Sequence, residues 1–275
     1  MQRMANEDIE IKLLLEAIYL KYGYDFRDYA KASIKRRILH RRSVSRIETI
    51  SSMQHRVIHD TAFFETLLQD LSINVTEMFR DPFFYRVVRE NALSMLKKQP
   101  FVKIWHAGCA TGEEVYSMSI LLQEEGLVEN VQIYATDLSP EAIATAQKGI
   151  YPINKMSGYI TNYQKTGGAA SFADYYTARY DFAIIRNSLK KNVLFSVHNL
   201  VTDSSFGEMD LIVCRNVLIY FSRELQNRVF GLFLDSLRPG GLLCLGSKES
   251  IRFSKHSDQF EDFDKKHKIY RKKGA

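Results

Sequence analysis

The chain has 275 residues, 45% of them hydrophobic and 25% charged, an ordinary globular composition that can bury a substantial core in one large domain or in two smaller ones. No apolar run approaches the roughly 18 residues needed to span a bilayer. Acids precede the first apolar run in MQRMANEDIEIKLLLEAI, which argues against a secretory signal and for a cytoplasmic location without membrane insertion. Cys109, Cys214 and Cys244 each lie in or at the end of an apolar strand-like run, as buried reduced thiols do, and no Cys or His pair has metal-ligand spacing, so no metal is expected.

Residues from about Asp8 to Leu71 read as helices. In IEIKLLLEAIYLKYG the apolar positions Ile11, Leu14, Leu15, Ile18 and Tyr19 share one helical face, and Gly23 follows as a stop. A basic helix around Ser33 to Ser43 comes next, then a further helix in TAFFETLLQDLSI. The net charge of +6 invites a nucleic-acid partner, but much of the excess is local. KRRILHRRSVSR, from Lys35 to Arg46, holds six Lys or Arg residues and no acid, and suits an RNA, an acidic protein surface or a solvated helix face.

INVTEMFRDPFFYRV, from Ile73 to Val87, follows. Asp81-Pro82 is a good helix start, and Arg80 is either a surface residue or an arginine aimed into a cleft, the surface reading being favoured by physics alone. From Phe101 strands and helices alternate. FVKIWHAGC is a strand ending in a glycine turn, EEVYSMSILLQEEG a helix, VQIYATD a strand, and SPEAIATAQKGIY a helix with Ser139 as N-cap and Pro140 at its first position. MDLIVCRN is a third strand, SRELQNRVFGLFLDSL a helix, and LRPGGLLCLGS a turn into a fourth strand. Such alternation predicts an α/β fold, a doubly wound, Rossmann-like parallel sheet with helices on both faces, behind a small all-helical domain. Between Gln147 and His198 the alternation breaks. ARYDFAIIRNSLKKNVLFSV reads as strand, turn near Asn187 to Lys191, and strand, which predicts an antiparallel hairpin inserted in the domain.

In such a sheet the ligand lies beyond the carboxyl ends of the strands, where strand order reverses. The turn AGCATG is the place to look, because Gly108 and Gly112 let backbone approach a ligand and Asp137, ending the next strand, suits ribose hydroxyls. Glu113 and Glu114 open the following helix, where a pyrophosphate would be repelled, and no Lys-Ser/Thr follows the second glycine. A ligand with a ribose, a cationic end and no phosphate fits better, and S-adenosylmethionine is one. One of the two acids is expected only to complement the helix dipole. Arg215 and Asn216 end the third strand at the cleft, while Tyr220, in an apolar run, reads as core on its own.

Taken together, NVTEMFR, GCATGEE, ATDLSPEAIATAQKGIY, HNL, CRNVLIYF and LRPGGLLCLGSKES resemble the chemotaxis receptor-glutamate O-methyltransferases, the CheR family, over nearly the whole chain. The resemblance implies a class I S-adenosylmethionine-dependent methyltransferase with S-adenosylhomocysteine as product. It implies a helical domain over 1–72, a linker over 73–100 that contributes to the active site, and a cofactor-binding domain over 101–275 with a β-hairpin subdomain at about 160–198. Asn74, Thr76 and Arg80 would line the cleft, and Glu114, Asp137, Leu138, Asn199, Leu200, Arg215 and Asn216 would hold the cofactor. Arg80 and Tyr220 would be catalytic, with Tyr220 beside the transferred methyl. The implied substrate is a glutamate in the cytoplasmic helices of a methyl-accepting chemotaxis receptor, met by a monomeric enzyme. Arg36, Arg37, Arg41 and Arg42 would steer that acidic helix bundle, and in part of the family a similar small subdomain binds a receptor's C-terminal peptide as an added strand. An RNA methyltransferase is the strongest rival, opposed by the absence of an Asn-Pro-Pro-Tyr-like motif, so no nucleic acid is expected. A non-catalytic cofactor-binding regulator is opposed by Arg80 and Tyr220, and a nicotinamide dehydrogenase by the glutamates.

Overall fold

A computed structural model describes residues 5–72, 75–205 and 207–274, in two compact units: Met1–Ile73 with Ile219–Val229, and Asn74–Leu218 with Phe230–Ala275. The first unit contains α1 (Asn6–Tyr22), α2 (Lys31–Val44), α3 (Ile50–His59) and α4 (Thr61–Leu71). α1 stops at Gly23, whose φ of 77° is the left-handed cap conformation open to glycine. α3 was not separable by sequence from its neighbours. It is bounded because Thr49 and Asp60 each turn a side-chain oxygen onto the next helix's first turn, accepting from the Ser52 and Phe63 amides. Leu14, Ile18, Ile34, Ile38, Met53, Val57 and Leu67 form the unit's buried interior, with Tyr22 stacked on Phe64 at 3.6 Å.

The second unit opens with α5 (Pro82–Val87), which runs through a π-helical turn at Val88–Leu93 into α6 (Ser94–Leu96). There follow β1 (Val102–Ala107), α7 (Glu113–Glu124), β2 (Val131–Asp137), α8 (Pro140–Lys148), β3 (Ile150–Pro152), α9 (Met156–Lys165), β4 (Tyr176–Arg179), β5 (Phe182–Ile185), β6 (Val193–Val197) and β7 (Met209–Cys214). α10 (Arg223–Ser236), whose residues up to Val229 belong to the first unit, β8 (Leu237–Leu245), β9 (Phe260–Asp264) and β10 (Ile269–Lys272) follow. Seven strands form one sheet in the order β6-β2-β1-β7-β8-β10-β9, parallel except where β10 runs against both β8 and β9. The order reverses between β1 and β7, so the carboxyl ends of those two strands flank the switch point of a doubly wound sheet. β7 is buried at every residue, as a central parallel strand covered on both faces must be.

A smaller antiparallel sheet, β3-β5-β4, is inserted after α8. It corrects the expected hairpin. β5 turns back on β4 through Tyr180 and Asp181, whereas VLFSV, read as the returning strand, is β6 and pairs in parallel with β2 from Ile133↔Val193 to Asp137↔Val197. A short apolar run has the same pattern in either pairing; which neighbour has a free edge decides, and β2 had one. The closing hairpin β9–β10 is also unread, because FEDFD at the sheet edge and IYRK beside it are short, charged segments with little alternation.

Ser139 caps α8, accepting from the Ala142 amide at 3.2 Å, with Pro140 at the first helical position. Ser139→Ala is expected to cost about 1 kcal/mol, read as a lower urea midpoint with unchanged slope. Trp105, the chain's one tryptophan, is fully buried with its indole N–H on Thr136 Oγ1 and provides the fluorescence signal. An unchanged midpoint would show that the cap contributes nothing.

Candidate active site

The turn after β1 is laid onto the end of β2. The amides of Gly108 and Cys109 both donate to the Thr136 carbonyl, at 2.8 and 2.9 Å. One residue on, the Ala110 amide donates to the Asp137 carboxylate at 2.8 Å, and the Ser139 amide to its other oxygen at 3.0 Å. Burial pushes the Asp137 carboxyl above its usual range, and the amides of Ser139, Ala110 and Leu138 pull against it. The His198 amide donates to the Asp137 carbonyl, which brings the HNL turn beside the same residue. There the Asn199 side-chain oxygen accepts from the Val201 amide, and Leu200 is buried. Gly108, at φ 80°, admits no side chain: a Cβ there would lie 2.5 Å from Val217 Cγ2 of the turn after β7.

Glu113 and Glu114 part company. Glu113 is fully buried and turned toward the inserted region, accepting from Thr111 Oγ1 at 2.6 Å and Tyr159 Oη at 3.4 Å, with Lys155 Nζ at 3.8 Å. Burial raises its carboxyl above the usual range. Glu114 instead meets His106 Nδ1 and Arg215 Nη1, each at 3.1 Å, and keeps 17% of its side chain exposed. Burial raises this carboxyl too, but the His106 hydrogen bond and the Arg215 charge outweigh it, and the group sits below the usual range. So Glu113 anchors α7, and Glu114 is the acid left beside the switch point.

Arg215 binds more than Glu114. Its Nη2 pairs with Asp81 at 2.6 Å, its Nη1 reaches the Arg80 carbonyl at 3.3 Å, and its guanidinium lies 4.1 Å over the Phe84 ring. The segment it grips is strained: Phe79 and Asp81 have φ of 54° and 59°, an uncommon conformation for such residues. Asp81 precedes Pro82 as expected, but its side chain makes no cap and takes the arginine instead, because a buried guanidinium needs a counter-charge more than a short helix needs a cap. Phe79 and Met78 are buried, with the Phe79 amide on Ser117 Oγ and the Met78 carbonyl accepting from Asn162. The Arg80 side chain, by contrast, makes one long hydrogen bond, 3.3 Å to the Val75 carbonyl, and among the described residues no ion pair. Arg80 is thus partly exposed, as the surface reading has it, while its main-chain carbonyl is held by Arg215 beside the switch point.

Thr76 is partly exposed on the same segment, and Asn74 lies outside the described residues. Asn216 follows Arg215 with φ 61°. Tyr220 belongs to the helical unit, where its carbonyl accepts from the Ala30 amide and the Arg37 guanidinium lies 5.6 Å over its ring. Of the basic residues of α2, Arg37 also donates to the Asp70 carbonyl at 2.7 Å, and Arg41 pairs with the Asp70 carboxylate. Arg36 is exposed and Arg42 half-buried. Sequence reasoning missed Asp81 and His106 as members of the site. The signal for His106 was a polar residue inside a buried strand, since an imidazole there requires a partner.

Glycine backbone, a carboxylate at the end of β2 and Glu114 suit a ribose and a cationic amino-acid group, while the two acids in the first turn of α7 disfavour a phosphate. The model of the CheR methyltransferase SAM binding domain matches residues 74–269, and that of the CheR all-alpha domain matches residues 9–72. The chain belongs to the CheR methyltransferase family. Its cofactor is S-adenosylmethionine. Among CheR relatives, a Pseudomonas putida protein named Cher3 is 54% identical over 97% of this chain and 98% of its own. A chemotaxis protein methyltransferase of Listeria innocua is 31% identical, with coverage of 83% and 85%. A 104.1 kDa protein of Rhodobacter capsulatus is also 31% identical, but the chain spans only 27% of it. No helix among the described residues is long and apolar enough to cross a membrane.

The pairing of Glu114 has a pH consequence. Unfolded, the carboxyl titrates near about 4.3; folded, it titrates lower, so the folded chain binds fewer protons. Its stabilisation is complete above the unfolded value and is lost as the pH falls through the folded one. Glu114→Gln is expected to flatten the acid limb of unfolding free energy against pH, followed by Trp105 fluorescence. A limb as steep as wild type would show that the pairing adds no stability.

Proposed function

We propose that this CheR protein methylates glutamate side chains in the cytoplasmic helices of a chemoreceptor, forming methyl esters. The observation that supports it is Arg80, whose guanidinium makes one long hydrogen bond and, among the described residues, no ion pair, on a segment fixed by Arg215 and Ser117. Bound S-adenosylmethionine supplies an electrophilic methyl group on a positively charged sulfur. Asp137 would hold the ribose and Glu114 the amino-acid end, with the Asn199–Leu200 turn and Asn216 completing the pocket. A glutamate carboxylate, with an ordinary pKa of about 4.3, is already the nucleophile at neutral pH, so no general base is needed. Arg80 orients it through charge-assisted hydrogen bonds, and alignment is most of the catalysis. Arg215 acts by holding the Arg80 segment and Glu114 in place.

Exposed Arg36 and half-buried Arg42 on α2 would meet the acidic receptor helices, since Arg37 and Arg41 are already engaged on α4. The small sheet has two outer strands, β3 and β4, and a receptor's C-terminal peptide added along one of them is a further contact this reading includes.

Incubation with radiolabelled cofactor and a chemoreceptor cytoplasmic fragment should place base-labile label on receptor glutamates. Base-stable label, or label on RNA instead, would overturn the reading. Arg80→Ala is expected to lower kcat/KM on the order of 10²- to 10³-fold with the fold intact. Reversing Arg36 and Arg42 to Glu should raise the KM for receptor and weaken its salt dependence far more than it changes kcat. Unaltered KM and salt dependence would remove α2 from the receptor contact.

A further inference from the structure

Beyond the end of β8 the chain turns through Gly246, and Glu249 folds back beneath the switch point, its amide donating to the Gly246 carbonyl at 2.9 Å. Glu249 is 5% exposed. Its carboxylate accepts from three main-chain amides: Oε2 from Gly246 at 2.6 Å and Asn216 at 3.0 Å, and Oε1 from Val217 at 2.9 Å. Successive amides converging on one anion form a nest, and hydrogen bonds to an ionised acceptor are the strong kind. The approach is close enough to require glycine at 246, where a Cβ would lie 2.7 Å from Glu249 Oε2 and 2.9 Å from the Asn216 amide nitrogen.

What the nest holds is the turn after β7. Asn216 is held at φ 61°, a conformation asparagine tolerates but does not choose over the right-handed regions. Arg215, one residue before, carries the bonds to Asp81, Glu114 and the Arg80 carbonyl. Val217, one residue after, packs onto the Gly108 position of the turn after β1. One carboxylate therefore holds the main chain that carries both Arg215 and Val217.

We infer that Glu249 is a positioning residue for methyl transfer, acting through the Arg215–Asn216–Val217 turn without touching cofactor or substrate. The inference rests on the proposed reading of that turn as part of the cofactor and acceptor site. A merely structural anchor would lower stability and leave the folded molecules' kinetics alone; a positioning residue changes the kinetics of molecules that are fully folded.

The test uses the full chain with Glu249→Gln and Glu249→Asp, and Ile269→Val on β10 as a control that loosens the same sheet by one buried methyl. Glutamine keeps the shape but points a donor at one of the amides. Aspartate keeps the charge but is a methylene too short to span the nest, and carries the test if the glutamine variant fails to fold. The readouts are the Kd for S-adenosylhomocysteine by calorimetry, kcat and receptor-fragment KM, and Trp105 fluorescence for the folded state. Both Glu249 variants are expected to raise the Kd and lower kcat by about ten- to a hundredfold with receptor KM unchanged, while Ile269→Val lowers Tm with Kd and kcat intact. A folded Glu249 variant with wild-type Kd and kcat overturns the inference, as does a matching kinetic loss in Ile269→Val. A wild-type protein that binds S-adenosylhomocysteine but methylates no receptor glutamate overturns the functional reading, and unchanged Kd values in the Glu249 variants then overturn this inference as well.

Discussion

A positive charge with 2% of its side chain exposed is the constraint on which the catalytic unit depends. Arg215 cannot be left uncompensated there, since an unpaired buried charge is among the most destabilising defects a fold can carry. Its charge is met from two parts of the chain: by Asp81, the Arg80 carbonyl and the face of Phe84 in one segment, and by Glu114 in another. Each of those is thereby fixed. The segment ahead of α5 gives up its helix cap and bends through two left-handed residues, and Glu114 is drawn away from its neighbour Glu113. Removal of this one guanidinium would release both the Arg80 segment and the first turn of α7.

The two glutamates show how a helix N-terminus can carry two acids for different reasons. Glu113 is a packing element, tied by Thr111 to its own turn and through Tyr159 and Lys155 to the inserted region. Tyr151 makes a parallel tie, donating to the Thr111 carbonyl at 2.7 Å. The small sheet's first strand is thus stitched to the turn after β1. Glu114 remains beside the switch point, where a negative charge suits a cationic ligand and discourages a phosphate.

The helical unit uses its basic charge more economically than composition suggests. Arg41 is consumed by Asp70, Lys35 by Glu7 and Asp8, and Arg37 by the end of α4 and the ring of Tyr220. A cluster that reads as a charged surface is partly internal mortar. What remains exposed is narrower than the composition suggests, with Arg36 exposed and Arg42 half-buried.

The sequence by itself determined the elements whose signals are local. Helix stops such as Gly23, the Ser139–Pro140 cap, and the alternation of apolar strands with amphipathic helices depend on a few adjacent residues, and each stands where it was expected. Motif combination brought the family within reach as well, because GCATGEE, CRNVLIYF and NVTEMFR are specific together where each alone is not. Only the tertiary structure decided what depends on partners distant in the chain. That VLFSV joins β2 and not β5 follows from which strand edge was free. Which glutamate anchors and which stays at the site follows from the position of Arg215, 101 residues away. Asp81, His106 and Glu249 were invisible for the same reason: a carboxylate or imidazole has its role set by the charges and amides that folding brings to it, and residue type alone does not record them.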